Sequence, residues 1–156
     1  ANFKVNPPLR SADHVEALLA AVADGTIDVF ATDHAPHTAE EKARDFAAAP
    51  FGMIGLETAV PVLLDRLVRT GVLPLDRFVR MCSTRPAELL RLRDKGRLAA
   101  GADADLTLLD LDAERTVRPA EFASKGRNTP FEGWTLRGVP AMTIVGGKIA
   151  YPFAEG

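Results

Sequence analysis

Ile27-Asp28-Val29-Phe30-Ala31 runs directly into Thr32-Asp33-His34-Ala35-Pro36-His37, and the reading of this stretch decides the fold. Its first half is rich in β-branched and apolar residues, the texture of a strand buried in a parallel sheet. Its second half places a carboxylate and two imidazoles just past that strand. Pro36 stops the segment from continuing as helix, so these side chains can fan out beyond the sheet.

Upstream, residues 3–5 are a second strand candidate, stopped by Pro7-Pro8. A helix follows, with Ser11 as its N-cap, Val15, Leu18, Leu19 and Val22 at helical spacing, and Asp24-Gly25 as its end. Downstream, residues 38–55 read as a long loop that begins with the charged Glu40-Glu41-Lys42. An amphipathic helix is then expected, with Leu56, Val60, Leu63, Leu64, Leu67 and Val68 on its buried face and Asp65, Arg66 and Arg69 outside. Gly71 closes it. Two shorter helices are expected at 75–82 and 86–91, the second capped by Thr84 with Pro86 in its first turn. After Gly96 the pattern turns to strands, at 105–111, 116–117, 134–136 and 142–145. Gly146-Gly147 then forms a tight hairpin into residues 148–151. The expected fold is α/β, with strand-helix units of a (β/α)8 TIM-like barrel in residues 1–92 and an antiparallel β module in residues 93–156. A closed barrel takes about 250 residues, so two strand-helix units imply a truncated barrel, or a barrel completed by another polypeptide.

The bulk properties narrow the function classes. Of 156 residues, 47% are hydrophobic, enough for a core, and 19 basic residues against 21 acidic give a net charge of −2. Neither a nucleic acid nor an anionic membrane is an expected partner of such a balance. No apolar run reaches the ~20 residues of a membrane span, and the N-terminus lacks the pattern of a signal peptide. The one cysteine, Cys82, excludes an internal disulfide and fits a cytoplasmic location. It lies in an apolar stretch and is expected to be core packing.

Three segments carry candidate chemistry. A carboxylate at the C-terminal end of a buried parallel strand is where barrel enzymes keep catalytic groups, and carboxylate and imidazole donors suit zinc. Asn6-Pro7-Pro8-Leu9-Arg10 puts a side-chain amide, both donor and acceptor, just past the first strand. Pro50-Phe51-Gly52 offers a glycine where backbone can approach a ligand. Taken singly, each also reads as a plain turn or loop.

Together these segments resemble the dihydroorotases of the amidohydrolase superfamily. The resemblance rests on Lys4 to Arg10, on Thr32 to Thr38 with Glu40-Glu41-Lys42, on Pro50-Phe51-Gly52 with Gly55-Leu56-Glu57-Thr58, and on Asn128-Thr129-Pro130-Phe131-Glu132-Gly133. It implies zinc-dependent, reversible hydrolysis of L-dihydroorotate to N-carbamoyl-L-aspartate, a step of pyrimidine synthesis, with one or two zinc ions in the complete enzyme. It implies that residues 1–92 are the C-terminal part of the (β/α)8 barrel, continuing a missing N-terminal barrel segment, and that residues 93–156 are a small β-sandwich module. It implies that Asp33 contacts the metal and shuttles the proton. It gives Asn6 and His37 to substrate binding, and makes Phe51 and Gly52 the pair whose backbone meets the ring. His34 is expected to serve local structure. Self-association into a homo-oligomer is expected.

The departures from the family pattern are equally specific. Its His-x-His metal pair has no counterpart among His14, His34 and His37, so this chain by itself is expected to be inactive. Two alternatives stay open. One is a hydrolase of the allantoinase or hydantoinase type. The other is a non-catalytic chain that serves as a structural partner of aspartate transcarbamoylase.

Overall fold

The computed structural model describes residues 1–152. Helix α1 (Ala12–Asp24) ends where the sequence places its stop, with Gly25 in the left-handed region at φ 93°. Its last carbonyls are held from outside: the Arg77 guanidinium donates to Ala23 O at 2.6 Å and Val22 O at 2.9 Å, a favourable cation at a helix C-terminus. Ser11 occupies the N-cap position, but its hydroxyl meets Asp13 and His14 instead of a backbone N–H. Val22 is buried and Leu19 packs against the core, whereas Val15 and Leu18, expected beside them, are exposed.

Within the expected long loop lies a short helix, α2 (Ala39–Lys42). Thr38 and Glu41 form a capping box around it, each side chain taking the other's backbone N–H. Helix α3 (Ala59–Leu63) runs on through a π-helical turn at Leu64–Val68. It begins after Leu56, which is exposed instead of facing the core. Asp65, expected outside, is buried at 4% exposure. The reason is its partners: Arg69 Nε lies 3.0 Å and Arg66 Nε 3.3 Å away, and the Arg137 N–H donates to it from the β module.

Helix α4 (Leu75–Val79), a π-helical turn (Arg80–Thr84) and α5 (Arg85–Leu89) form one continuous path. The expected cap at Thr84 is absent, because Thr84 is itself helical (φ −61°, ψ −50°) and its hydroxyl donates to Gly96 O at 2.8 Å. Cys82 is exposed, not core, since the face of this path that meets the core is set by Phe78 and Met81. Burial of its thiol among neighbouring atoms still pushes its pKa up to about 11. The core joins Val22, Leu64, Leu67, Leu73, Phe78 and Met81, with Ile27 and Phe30 packed against it.

The β module is one antiparallel sheet in the order β1 (Leu106–Thr116), β2 (Thr135–Val145), β3 (Lys148–Pro152). The short strands read from sequence merge: residues 105–111 and 116–117 fall largely in one strand, 134–136 and 142–145 in another. Register shifts at Leu108/Leu109 and Asp110/Glu114 explain the interrupted alternation. Gly146 and Gly147, both at positive φ, make the expected hairpin turn. The sheet seats on the helices through Leu136, 1% exposed, and Gly138, where a Cβ would stand 3.1 Å from Leu64 Cβ. Residues 153–156 of the expected second module lie outside the described residues.

Residues 3–5 and 27–31 form no strands in this chain. A strand needs a ladder partner, and each segment is held by isolated bonds: Lys4 O accepts from Gly52 N at 2.9 Å, and Phe30 N donates to Met81 O at 3.2 Å. Among the described residues no helix is long and apolar enough to cross a membrane.

Candidate functional site

The segment from Thr32 to His37 is extended chain pinned on both sides. Ala35 N donates to Met53 O at 3.0 Å, and His37 N donates to the Asn128 side-chain carbonyl at 3.0 Å. Asn128, 4% exposed, also donates from its amide nitrogen to Ala35 O (2.9 Å) and Gly52 O (3.2 Å). One side chain from the β module therefore sets the spacing between the Asp33 segment and the Gly52 loop.

Asp33 is exposed, and one carboxylate oxygen accepts from His34 N at 2.7 Å. Directly behind it sits Gly55, where a Cβ would lie 2.5 Å from the Asp33 carbonyl oxygen. Only hydrogen fits there. His34 turns away from Asp33. Its Nδ1 accepts from Gly55 N at 3.3 Å, which leaves Nε2 to carry the proton, 3.2 Å from Ser124 Oγ. Glu57 Oε1 accepts the Ser124 backbone N–H at 2.9 Å. This Ser-His-Glu grouping is no nucleophile-and-base relay: the imidazole faces the hydroxyl as a donor, and the carboxylate does not touch the imidazole. His34 serves local structure.

His37, half-buried, lies 2.9 Å through Nε2 from Phe51 O, with Nδ1 3.6 Å from Glu41. Glu41 is held below the usual carboxylate range, first by the Thr38 N–H and further by His37. Gly52 is buried at φ 126°, and a Cβ there would come within 2.5 Å of Ala35 Cβ. Its carbonyl accepts from Lys42 Nζ at 2.9 Å as well as from Asn128. Phe51 is 55% exposed, with Lys4 Nζ 4.6 Å from its ring centroid.

A cavity of about 330 Å³ lies in front of these groups, lined by Asn6, Asp33, Gly52 and Gly55, with Phe30 and Phe131 as apolar walls. Three of the five sequence-chosen residues thus share one cavity; His37 and Phe51 stand outside its lining, joined to each other. A larger cavity, about 410 Å³ between α3 and the sheet, contains none of them. Sequence reasoning overlooked Lys42, taken as part of a charged stretch, and assigned Asn128 no role. A capping box at Thr38 and Glu41 was the signal that residue 42 belongs to a helix.

A bound metal is not supported by the residues present. Among the described residues no three His, Cys, Asp or Glu side chains cluster. Asp33 is one ligand where zinc takes about four. The imidazoles of His34 and His37 are directed to Gly55, Ser124 and Phe51.

Residues 5–150 match the model of the amidohydrolase family, and the chain belongs to that family. Among curated proteins it is 55% identical over 150 residues to a dihydroorotase of Brevibacillus brevis, covering 96% of this chain and 35% of that one. It is 52% identical over 151 residues to a dihydroorotase of Bacillus caldolyticus, covering 97% and 35%. Among solved structures, an L-hydantoinase (dihydropyrimidinase) from Arthrobacter aurescens superposes with a TM-score of 0.92 at 37% identity, over 97% of this chain and 35% of that one. A D-hydantoinase (dihydropyrimidinase) from a Thermus species gives 0.88 at 34%, over 97% and 34%. The chain spans about a third of the length of the relatives it matches.

Proposed function

We propose that this chain is the Asp33-bearing part of a dihydroorotase, whose complete form interconverts L-dihydroorotate and N-carbamoyl-L-aspartate in pyrimidine synthesis. One observation carries the reading: a chain 55% identical to a dihydroorotase brings Asn6, Asp33 and Gly52 to one cavity. Residues 1–92 are then the last strand-helix units of a (β/α)8 barrel, and residues 93–156 belong to a β-sandwich beside it. The extended segments 3–5 and 27–31 gain their ladders from barrel strands N-terminal to this segment.

In that reaction Asp33 is the proton carrier. Its carboxylate takes a proton from the attacking water and returns it to the ring nitrogen as the C–N bond breaks. Asn6 offers donor and acceptor to the ring amide, and His37 offers its imidazole to the substrate once it releases Phe51 O. Phe51 and Gly52 are the pair whose backbone meets the ring, with the Gly52 N–H and carbonyl held in place by Lys4, Lys42 and Asn128. Zinc, if bound in the complete protein, would be held by Asp33 together with ligands outside this chain, and would supply polarisation of the ring carbonyl and an acidified water. The complete enzyme is cytoplasmic and homo-oligomeric.

A hydantoinase-type substrate is the second reading, favoured by the TM-score of 0.92 to an L-hydantoinase. A third, a structural partner of aspartate transcarbamoylase, holds if the complete protein lacks the metal histidines. The test is turnover by the complete protein of L-dihydroorotate against hydantoin and dihydrouracil, with Asp33→Asn beside wild type. L-dihydroorotate is expected to be preferred, and Asp33→Asn to lose at least about 10³-fold in kcat, within the range attributed to general acid–base catalysis. Preference for a neutral ring would shift the reading to hydantoinase. Near-normal turnover by Asp33→Asn would remove Asp33 as the carrier.

A further inference from the structure

Lys42 is 7% exposed and Lys4 8%, although lysine is almost never buried without a partner charge. No carboxylate among the described residues lies within ion-pair distance of either. Lys42 Nζ donates to Pro50 O at 3.0 Å and Gly52 O at 2.9 Å, the carbonyls on either side of Phe51. Lys4 Nζ donates to Ala47 O at 2.8 Å and stands over the rings of Phe46 and Phe51. The Lys4 backbone is bonded to the same loop through Gly52 N. Burial, and then the charge of Lys4, hold the Lys42 ammonium below its ordinary pKa. Two like charges are therefore kept close behind one wall of the cavity, at a cost in desolvation and repulsion that packing alone does not need.

We propose that Lys42, with Lys4 beside it, is a specificity-determining positioning group: it holds the Gly52 wall of the cavity and sets uncompensated positive charge behind it, so that the site favours an anionic cyclic amide over a neutral one. The Gly52 carbonyl, between Lys42 and the cavity, is polarised by two donors, and hydrogen bonds in such a chain strengthen one another. In a partly desolvated site this charge is screened less than at the surface, so it acts on a carboxylate across the wall. This inference rests on the dihydroorotase reading and adds a reason for the substrate's charge.

The test uses the complete protein and two ligands that differ in charge: L-dihydroorotate, and its methyl ester as a competitive inhibitor. The quantity read is the ratio of KM for the anion to Ki for the ester. Lys42→Gln keeps a donor to the carbonyls and removes the charge; the ratio is expected to rise about tenfold, with Lys42→Arg restoring it towards wild type. A loss of packing alone would weaken both ligands equally, and an unchanged ratio overturns the proposal. If Lys42→Gln does not fold, Lys4→Gln is read instead, with a rise of about threefold expected and no rise overturning it. Wild-type protein that neither binds nor turns over L-dihydroorotate would overturn the functional reading and this inference together. An active wild type with an unmoved ratio overturns this inference alone.

Discussion

Gly55→Ala tests the placement of Asp33 without touching its carboxylate. The Cβ added by this substitution would lie 2.5 Å from the Asp33 carbonyl oxygen and 3.5 Å from Thr32 Cβ. Real Cβ contacts essentially never fall below 3.0 Å, so the Asp33 peptide must retreat by about 0.5 Å or more. Gly55 is not in the left-handed region, so no backbone strain is added and the effect is steric. A 1 Å misplacement can cost about 10²-fold in rate; a shift of half that size predicts a fall in kcat of about tenfold. Overpacking of this kind costs about 1–3 kcal/mol of stability. The assay is steady-state turnover of the complete protein, with the urea midpoint of the same sample. Gly71→Ala is the control: its backbone is at φ 77° with nothing near its Cβ, so it should lose about 1 kcal/mol of stability and no activity. A Gly55→Ala enzyme with kcat within twofold of wild type and an unmoved urea midpoint would refute the reasoning.

Three further outcomes are expected. Asn128→Ala leaves His37 N, Ala35 O and Gly52 O without their buried partner; it should cost about 2–3 kcal/mol in denaturant unfolding, and a loss below about 0.5 kcal/mol would show that water replaces it. His37→Ala and Asn6→Ala should each weaken L-dihydroorotate binding and leave zinc content unchanged; metal analysis showing zinc lost in His37→Ala would move that imidazole to the metal. Cys82, with its pKa raised from 9.0 to about 11, holds about a hundredth of the thiolate of an unshifted thiol at pH 8. Iodoacetamide should therefore modify it about 100-fold more slowly in the native protein than in urea, faster by about tenfold per pH unit up to pH 11; equal rates at pH 8 would contradict the shift.

Local chemistry was legible in the sequence. Gly25 stopped α1, Gly146-Gly147 turned the hairpin, and Asp33 after an apolar run marked the cavity, because each depends on a few neighbouring residues. Asp65 was misread because charge at a helical outside position says nothing of Arg137 arriving from β2 to bury it. Thr84 was misread as a cap because its acceptor, Gly96 O, is twelve residues away. The strands at 3–5 and 27–31 were predicted from composition, yet a strand is completed by a ladder, and neither segment makes one with the other or with the described sheet. The roles of Lys42 and Asn128 also belong to tertiary structure alone. A lysine in Glu40-Glu41-Lys42 looks solvated until the chain folds the Pro50 and Gly52 carbonyls over it. Asn128, ninety-one residues from His37, acquires a role only when the sheet module docks against the Asp33 segment.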